Sequence, residues 1–253
     1  MIFDTHAHYD DEQFDGDRDE LLKSMSDLGV GTIVDVSATY ESCEKVLALA
    51  GKYPHVYAAI GVHPDEVGEL NEDKIQHMKE LCRNKKVVAV GEIGLDYYWD
   101  NEPHEVQQKW FIRQLELAGE VKKPVIIHSR EAAADTMYIM KNYAQGLGGV
   151  IHCYSYSREM AEEYVKMGFY IGIGGVVTFK NAKKLKDVAA AIPIEKIVLE
   201  TDCPYMAPEP YRGKRNQSSY IQYVAEKIAE LKEMSPEEVI AVTEKNARDL
   251  YGI

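Results

Sequence analysis

Eight short runs of apolar, mostly β-branched residues recur along the chain, at 2–5, 31–36, 56–62, 87–93, 124–128, 149–153, 169–173 and 196–201. They lie roughly 25 to 35 residues apart, and most are separated by a stretch of helical periodicity. The helical patterns are clearest at 18–28, 41–52, 105–122, 131–143, 159–167 and 219–231. In the third of these, Val106, Trp110, Leu115 and Leu117 are the candidate core-facing positions. Ser235-Pro236-Glu237-Glu238 reads as an N-cap, a proline at the first turn and early acids, which open a further helix. Strands that alternate with helices pair in parallel, because each crossover returns the chain to the same end of the sheet. Eight such units predict a closed (β/α)8 TIM barrel of the α/β class, one domain over residues 1–253; an open doubly wound sheet is the alternative.

Charge and composition narrow the function. Forty-five per cent hydrophobic residues are enough for one sizeable core. A formal net charge of −13 excludes capture of nucleic acid by bulk electrostatics, so a phosphate substrate needs local cations. There is no apolar run of transmembrane length and no signal-peptide pattern at the start. Cys43, Cys82, Cys153 and Cys203 lack C-x-x-C spacing and read as reduced thiols. The expectation is a cytoplasmic protein, away from the membrane, with no obligate protein partner and a monomeric default.

Barrels of this type place their chemistry at the C-terminal ends of the strands. Ligand-type side chains occupy those positions in five of the eight runs. His6 and His8 close the first run, Glu92 the fourth, His128 the fifth and His152 the sixth, and Asp202 follows the eighth. Residues two apart on a strand share a face, so His6 and His8 project together. A carboxylate inside an apolar run, as in Val87-Val88-Ala89-Val90-Gly91-Glu92, is costly to bury without a partner or a metal. Six nitrogen and oxygen ligands exceed the need of one tetrahedral ion. They suit two divalent ions: His6, His8 and Asp202 on one, His128 and His152 on the other, and Glu92 on both. The mixture of imidazole and carboxylate admits Zn, Mn, Co or Mg. Such a centre activates water for a displacement, with Asp202 as candidate general base beside Glu92.

Several residues near these runs are candidates to orient a ligand or touch substrate. They are His63 in Gly61-Val62-His63-Pro64, Asp96 in Gly94-Leu95-Asp96, Arg130 two residues after His128, and Arg215 in the basic loop Arg212-Gly213-Lys214-Arg215-Asn216. Tyr97, Tyr98 and Trp99 are placed to stack bases.

With these residues in place, the chain resembles the TatD family of metal-dependent deoxyribonucleases, within the amidohydrolase-like barrels. Asp4-Thr5-His6-Ala7-His8 resembles the family's opening D-[ST]-H-x-H motif. The blocks Ile60–Pro64, Gly91–Tyr97, Pro124–Arg130, Ile151–Ser155, Leu199–Tyr205 and Arg212–Asn216 are similar to those that follow it, and Thr243 and Asn246 resemble its C-terminal T-x-x-N. The resemblance implies a divalent-metal centre on His6, His8, Glu92, His128, His152 and Asp202. It also implies hydrolysis of DNA phosphodiesters, typically as an exonuclease, with RNA left open. Glu92 on the fourth run separates the chain from relatives that bridge their metals with a carboxylated lysine. Two positions depart from the family pattern: Tyr156 stands where glycine is common, and Cys203 where alanine is common. A hydrolase of small phosphoesters, lactones or amides and a non-catalytic module with a structural metal are the competing readings.

Overall fold

The computed structural model describes residues 1–99 and 101–253. Each expected run forms a strand: β1 (Ile2–Ala7), β2 (Val30–Val36), β3 (Val56–Ile60), β4 (Val87–Asp96), β5 (Val125–Arg130), β6 (Gly149–Ile151), β7 (Tyr170–Ile173) and β8 (Ile197–Leu199). They pair in parallel and in sequence order, β1 to β8, in one sheet. The helices are α1 (Arg18–Ser24), α2 (Ser42–Lys52), α3 (Glu72–Leu81), α4 (His104–Val121), α5 (Ala133–Tyr143), α6 (Arg158–Lys166), α7 (Lys183–Ala191), α8 (Ile221–Lys232) and α9 (Pro236–Tyr251). The architecture is the (β/α)8 barrel, and the open-sheet alternative falls.

The ring closes through the segment that follows β8. Ala7 bridges Cys203 in parallel, Asp202 N–H donates to His6 O at 2.9 Å and His8 N–H donates to Cys203 O at 2.8 Å. Beside these backbone bonds, the fully buried Asp4 accepts from Thr201 N at 3.0 Å, Thr201 Oγ1 at 2.6 Å and Ser218 Oγ at 2.6 Å. A short β8 is therefore joined to β1 as much by one carboxylate as by a strand ladder.

Two apolar layers follow from the alternation of side chains across each strand. Phe3, Val34, Val36, Ala59, Val88, Ile126, Val150 and Val198 form one cluster, which Ala247, Leu250 and Tyr251 of α9 join. This is the barrel interior, closed from below by α9. Tyr251 stacks on Phe3 with centroids 5.9 Å apart, and its hydroxyl donates to Thr5 O at 2.9 Å. The other strand face packs against the surrounding helices. Helix α9 starts as its sequence predicts, with a reciprocal capping box between Ser235 and Glu238. Asn246 on the same helix donates to Ile194 O and Ile197 O, which fixes the entry to β8.

The differences from the sequence pattern are local. Helices α3 and α7 carry few large apolar residues, with Ile75 and Met78 buried in one and Leu185, Val188 and Ala189 in the other, so their periodicity is faint. Helix α1 stops at Ser24 rather than at 28. The chain must turn back to enter β2, and Gly29 takes the left-handed φ of +84° that this turn needs. Strand β4 continues past residue 93 to Asp96, pairing Asp96 with Arg130 of β5. Its register slips between Val90 and Ile93, so Glu92 leaves from an irregularity inside the strand instead of from its end. Of the expected core positions on α4, Trp110, Leu115 and Leu117 are buried and Val106 is only partly so. Among the described residues no helix is long and apolar enough to cross a membrane.

Candidate metal centre

The six expected ligands come from β1, β4, β5 and the first residues after β1, β6 and β8, and the barrel brings them to one point. His6 Nε2 and His8 Nε2 lie 3.1 Å apart, and the His6 ring stacks on His152 with centroids 3.5 Å apart. The two oxygens of Glu92 serve different pairs of imidazoles. Oε2 lies 3.5 Å from His6 Nε2 and 3.9 Å from His8 Nε2. Oε1 lies 2.8 Å from His128 Nδ1 and 3.5 Å from His152 Nε2. Asp202 Oδ1 sits 3.4 Å from His8, 3.8 Å from His152 and 3.9 Å from His6.

These separations fit a metal. Ligands about 2.05 Å from a tetrahedral ion stand roughly 3.3 Å from one another, which is the spacing found here. The ring protons are directed the same way. His8 Nδ1 faces the Val36 carbonyl at 2.8 Å; a carbonyl only accepts, so Nδ1 carries a proton and Nε2 is the nitrogen left to ligate. His152 Nδ1 likewise donates to Glu200 Oε2 at 3.1 Å. Asp202 is held in the left-handed region at φ +57°, a conformation that aspartate tolerates better than most residues and that collects at functional sites.

The charges are strongly coupled. Burial alone would depress His8, but Asp202 and Glu92 outweigh it and raise the imidazole to about 10. His128 rises to about 9 against burial because Asp96 and Glu92 flank it, and His152 to about 9 because Glu200 and Glu92 do. Burial would raise Glu92, yet the imidazoles of His152, His6 and His128 hold it well below the usual carboxylate range. Asp202 is lowered for the same reason, by His8 and His152 against burial. Four histidines and two carboxylates thus form a coupled cluster in which a cation can replace the imidazole protons.

Around this cluster the other expected residues divide. Asp96 Oδ2 lies 2.9 Å from His128 Nε2, so it orients that ring. His63 packs edge-on against His128, centroids 4.3 Å apart, and its Nδ1 accepts from Asp65 N at 3.2 Å as the cap of a short 3-10 helix. Burial and the neighbouring His128 depress it to about 3, which keeps it neutral. Arg130 lies over the Tyr98 ring, 3.8 Å from its centroid. Arg215 is not gathered into the centre: its guanidinium pairs with both oxygens of Asp17 and covers Phe14. Tyr97 stacks on His104 and donates its hydroxyl to Asp135, so its ring is packed into the fold. Tyr156 is anchored through its hydroxyl to Ser129 Oγ at 2.9 Å and to Ala132 N at 3.3 Å, and Cys203 is buried beside Thr201.

Glu200 is the side chain bonded to the cluster that the sequence reading passed over. It is fully buried, holds His152 through one oxygen and accepts Cys153 N at 2.6 Å through the other. The signal was available: Glu200 is a carboxylate inside the eighth apolar run, as Glu92 is inside the fourth. Gly172 leaves the room, since a Cβ there would strike the Glu200 carboxylate.

Comparison with known proteins places this geometry among its relatives. The profile of the TatD related DNase family matches residues 3–252. The metal-dependent hydrolase YabD of Bacillus subtilis is 46% identical over 254 residues, covering 100% of both chains. The metal-dependent hydrolase YcfH of Escherichia coli K12 is 36% identical, covering 100% of this chain and 96% of its own. The crystal structure of YjjV, a TatD homologue from Escherichia coli K12, superposes with a TM-score of 0.93 at 34% identity, over 100% of this chain and 98% of that one.

Proposed function

The chain belongs to the TatD-related DNase family, and from that premise we propose that it is a metal-dependent hydrolase that cleaves DNA phosphodiester bonds, removing nucleotides from an end. The observation that carries the reading is the division of Glu92, one oxygen toward His6 and His8 and the other toward His128 and His152. That division supports two divalent ions, one held by His6, His8 and Asp202, the other by His128 and His152, with Glu92 shared. The donor set suits Mg, Mn, Zn or Co. When bound, such ions supply Lewis acidity and lower the pKa of water.

The chain's own residues supply the rest. Of the two carboxylates in the centre, Asp202 is the more open, its side chain 18% exposed against 5% for Glu92. It is therefore the group that accepts a proton from the attacking water and passes it to solvent. His63 is neutral with Nδ1 accepting, so its proton is on Nε2 and available to a phosphoryl oxygen. Asp96 and Glu200 hold the rings of His128 and His152 in place, so that little reorganisation is left to the reaction. Four unpaired thiols support a cytoplasmic place of work.

The test is hydrolysis of end-labelled single-stranded DNA with Mg or Mn, and with chelator as the control. Stepwise, chelator-sensitive shortening from one end is the expected result. Metal-loaded, folded protein that leaves DNA intact but turns over a small phosphoester, lactone or amide would move the assignment to that class.

A further inference from the structure

Among the described residues, eight large apolar side chains are exposed, and four of them stand on loops that leave the metal-centre end of the barrel. Tyr98 and Trp99 follow β4, and Tyr205 and Met206 follow β8. In a ring of eight strands in sequence order, β4 and β8 lie opposite each other. The centre thus has exposed apolar side chains on two facing sides. The β4 pair is the better organised. Tyr98 is 54% exposed and Trp99 59%, with their rings edge-to-face at 5.0 Å and 84°.

A single carboxylate ties this pair to the centre. Asp96 Oδ1 accepts the amides of Tyr98 at 2.9 Å and Trp99 at 3.0 Å, while its Oδ2 holds His128. Arg130, paired in register with Asp96, lies over Tyr98 at 3.8 Å and within 5.5 Å of the Trp99 centroid. The aromatic pair is therefore tied through Asp96 to His128 instead of riding on a free loop. Exposed aromatic rings backed by a guanidinium take up planar π systems, and every base has a π-face. The cationic backing also matters in a chain of net charge −13, where generic attraction for phosphate is absent.

We propose that Tyr98 and Trp99, backed by Arg130, form a stacking platform for an unpaired base next to the scissile phosphate. This rests on the nuclease reading above. Bases in a duplex are stacked on their neighbours and do not reach such a surface; a frayed or single-stranded end does.

Two measurements test it. The first is steady-state hydrolysis by the metal-loaded enzyme of a single-stranded oligonucleotide and of the same oligonucleotide ending in abasic residues. Trp99→Ala and Tyr98→Ala are expected to lose about tenfold in kcat/KM on the first substrate, mainly through KM, and little on the second. Trp99→Phe retains most of the activity. The second needs no turnover. The chain has two tryptophans, and Trp110 is buried at 6% exposure, so Trp99 is the exposed fluorophore. Deoxynucleotides should quench its emission more strongly than deoxyribose phosphate does, and the difference should vanish in Trp99→Phe. Equal kcat/KM for Trp99→Ala and wild type, or an equal loss on the abasic substrate, overturns the platform. If base-dependent quenching occurs but no oligonucleotide is cleaved, the platform stands and the nuclease reading fails; if neither occurs, both fall.

Discussion

Glu200 Oε2 lies 3.1 Å from His152 Nδ1, and its partner oxygen accepts the Cys153 amide at 2.6 Å. One buried carboxylate thereby fixes the tautomer of a histidine and the turn that carries it. A carboxylate behind a ring nitrogen leaves the opposite nitrogen free to ligate and makes it more basic.

Glu200→Gln keeps the volume and breaks that logic. If the amide oxygen faces Cys153 N–H, the amide nitrogen faces His152 and drives the ring proton to Nε2. If the amide is flipped, two N–H groups oppose each other at Cys153. Either way, metal affinity is expected to fall about 10- to 100-fold with the fold retained. Titration against a competing chelator, with circular dichroism as the folding control, reads both. Wild-type affinity would remove Glu200 from the site.

Substitutions within the centre act on the chemistry. Asp202→Asn removes the proposed proton acceptor and is expected to lower kcat on single-stranded DNA by about 10²- to 10⁴-fold. Glu92→Gln should cost at least as much, because both halves of the cluster share that side chain. Retained kcat in either variant, with metal content confirmed by elemental analysis, would reassign the roles.

Metal binding should release protons. His8 at about 10, and His128 and His152 at about 9, carry protons at neutral pH in the metal-free protein, and each must lose one to ligate. Because the raised values favour the protonated, metal-free form below them, affinity rises with pH through the neutral range and levels off above roughly 9 to 10. Calorimetric titration in two buffers of different ionisation enthalpy counts the protons. Affinity independent of pH from 6 to 9 would contradict the assignment.

The seam between β1 and the segment after β8 depends on Asp4. Asp4→Ala leaves the donors of Thr201 and Ser218 without their acceptor, at a cost of about 3 to 5 kcal/mol, or roughly 10 °C in Tm. Asp4→Asn keeps an acceptor and removes a charge. Burial lifts Asp4 to about 7 despite those donated bonds, whereas the unfolded chain titrates near 3.8. A raised folded value favours the protonated native state, so the wild type loses stability as pH rises from about 4 to about 7. Asp4→Asn escapes that loss, and its Tm relative to wild type should climb across the same window. Thermal melts at pH 4.5 and 8 decide it; a constant difference would place the charge elsewhere.

The strand runs, the side chains that gather at the rim and the cap of α9 were legible in the sequence because each is written in local periodicity or in residue type. Apolar alternation fixes which segments are strands, and an acid inside such a run announces a partner. The weakly apolar α3 and α7 left little trace, because helical periodicity shows only where a helix buries several large side chains. Other features were decided by the closed ring alone. The slip of β4 against β5 that aims Glu92, the carboxylate seam at Asp4 and the grip of Glu200 on His152 join residues far apart in the chain. Arg215 shows the opposite case: a basic residue in a motif was turned away from the centre by Asp17, a neighbour only in three dimensions. The sequence by itself determined which groups the barrel presents, since that depends on residue type and period. The tertiary structure decided which groups meet, because distance across a barrel rim depends on register and closure, and neither is encoded in any one segment.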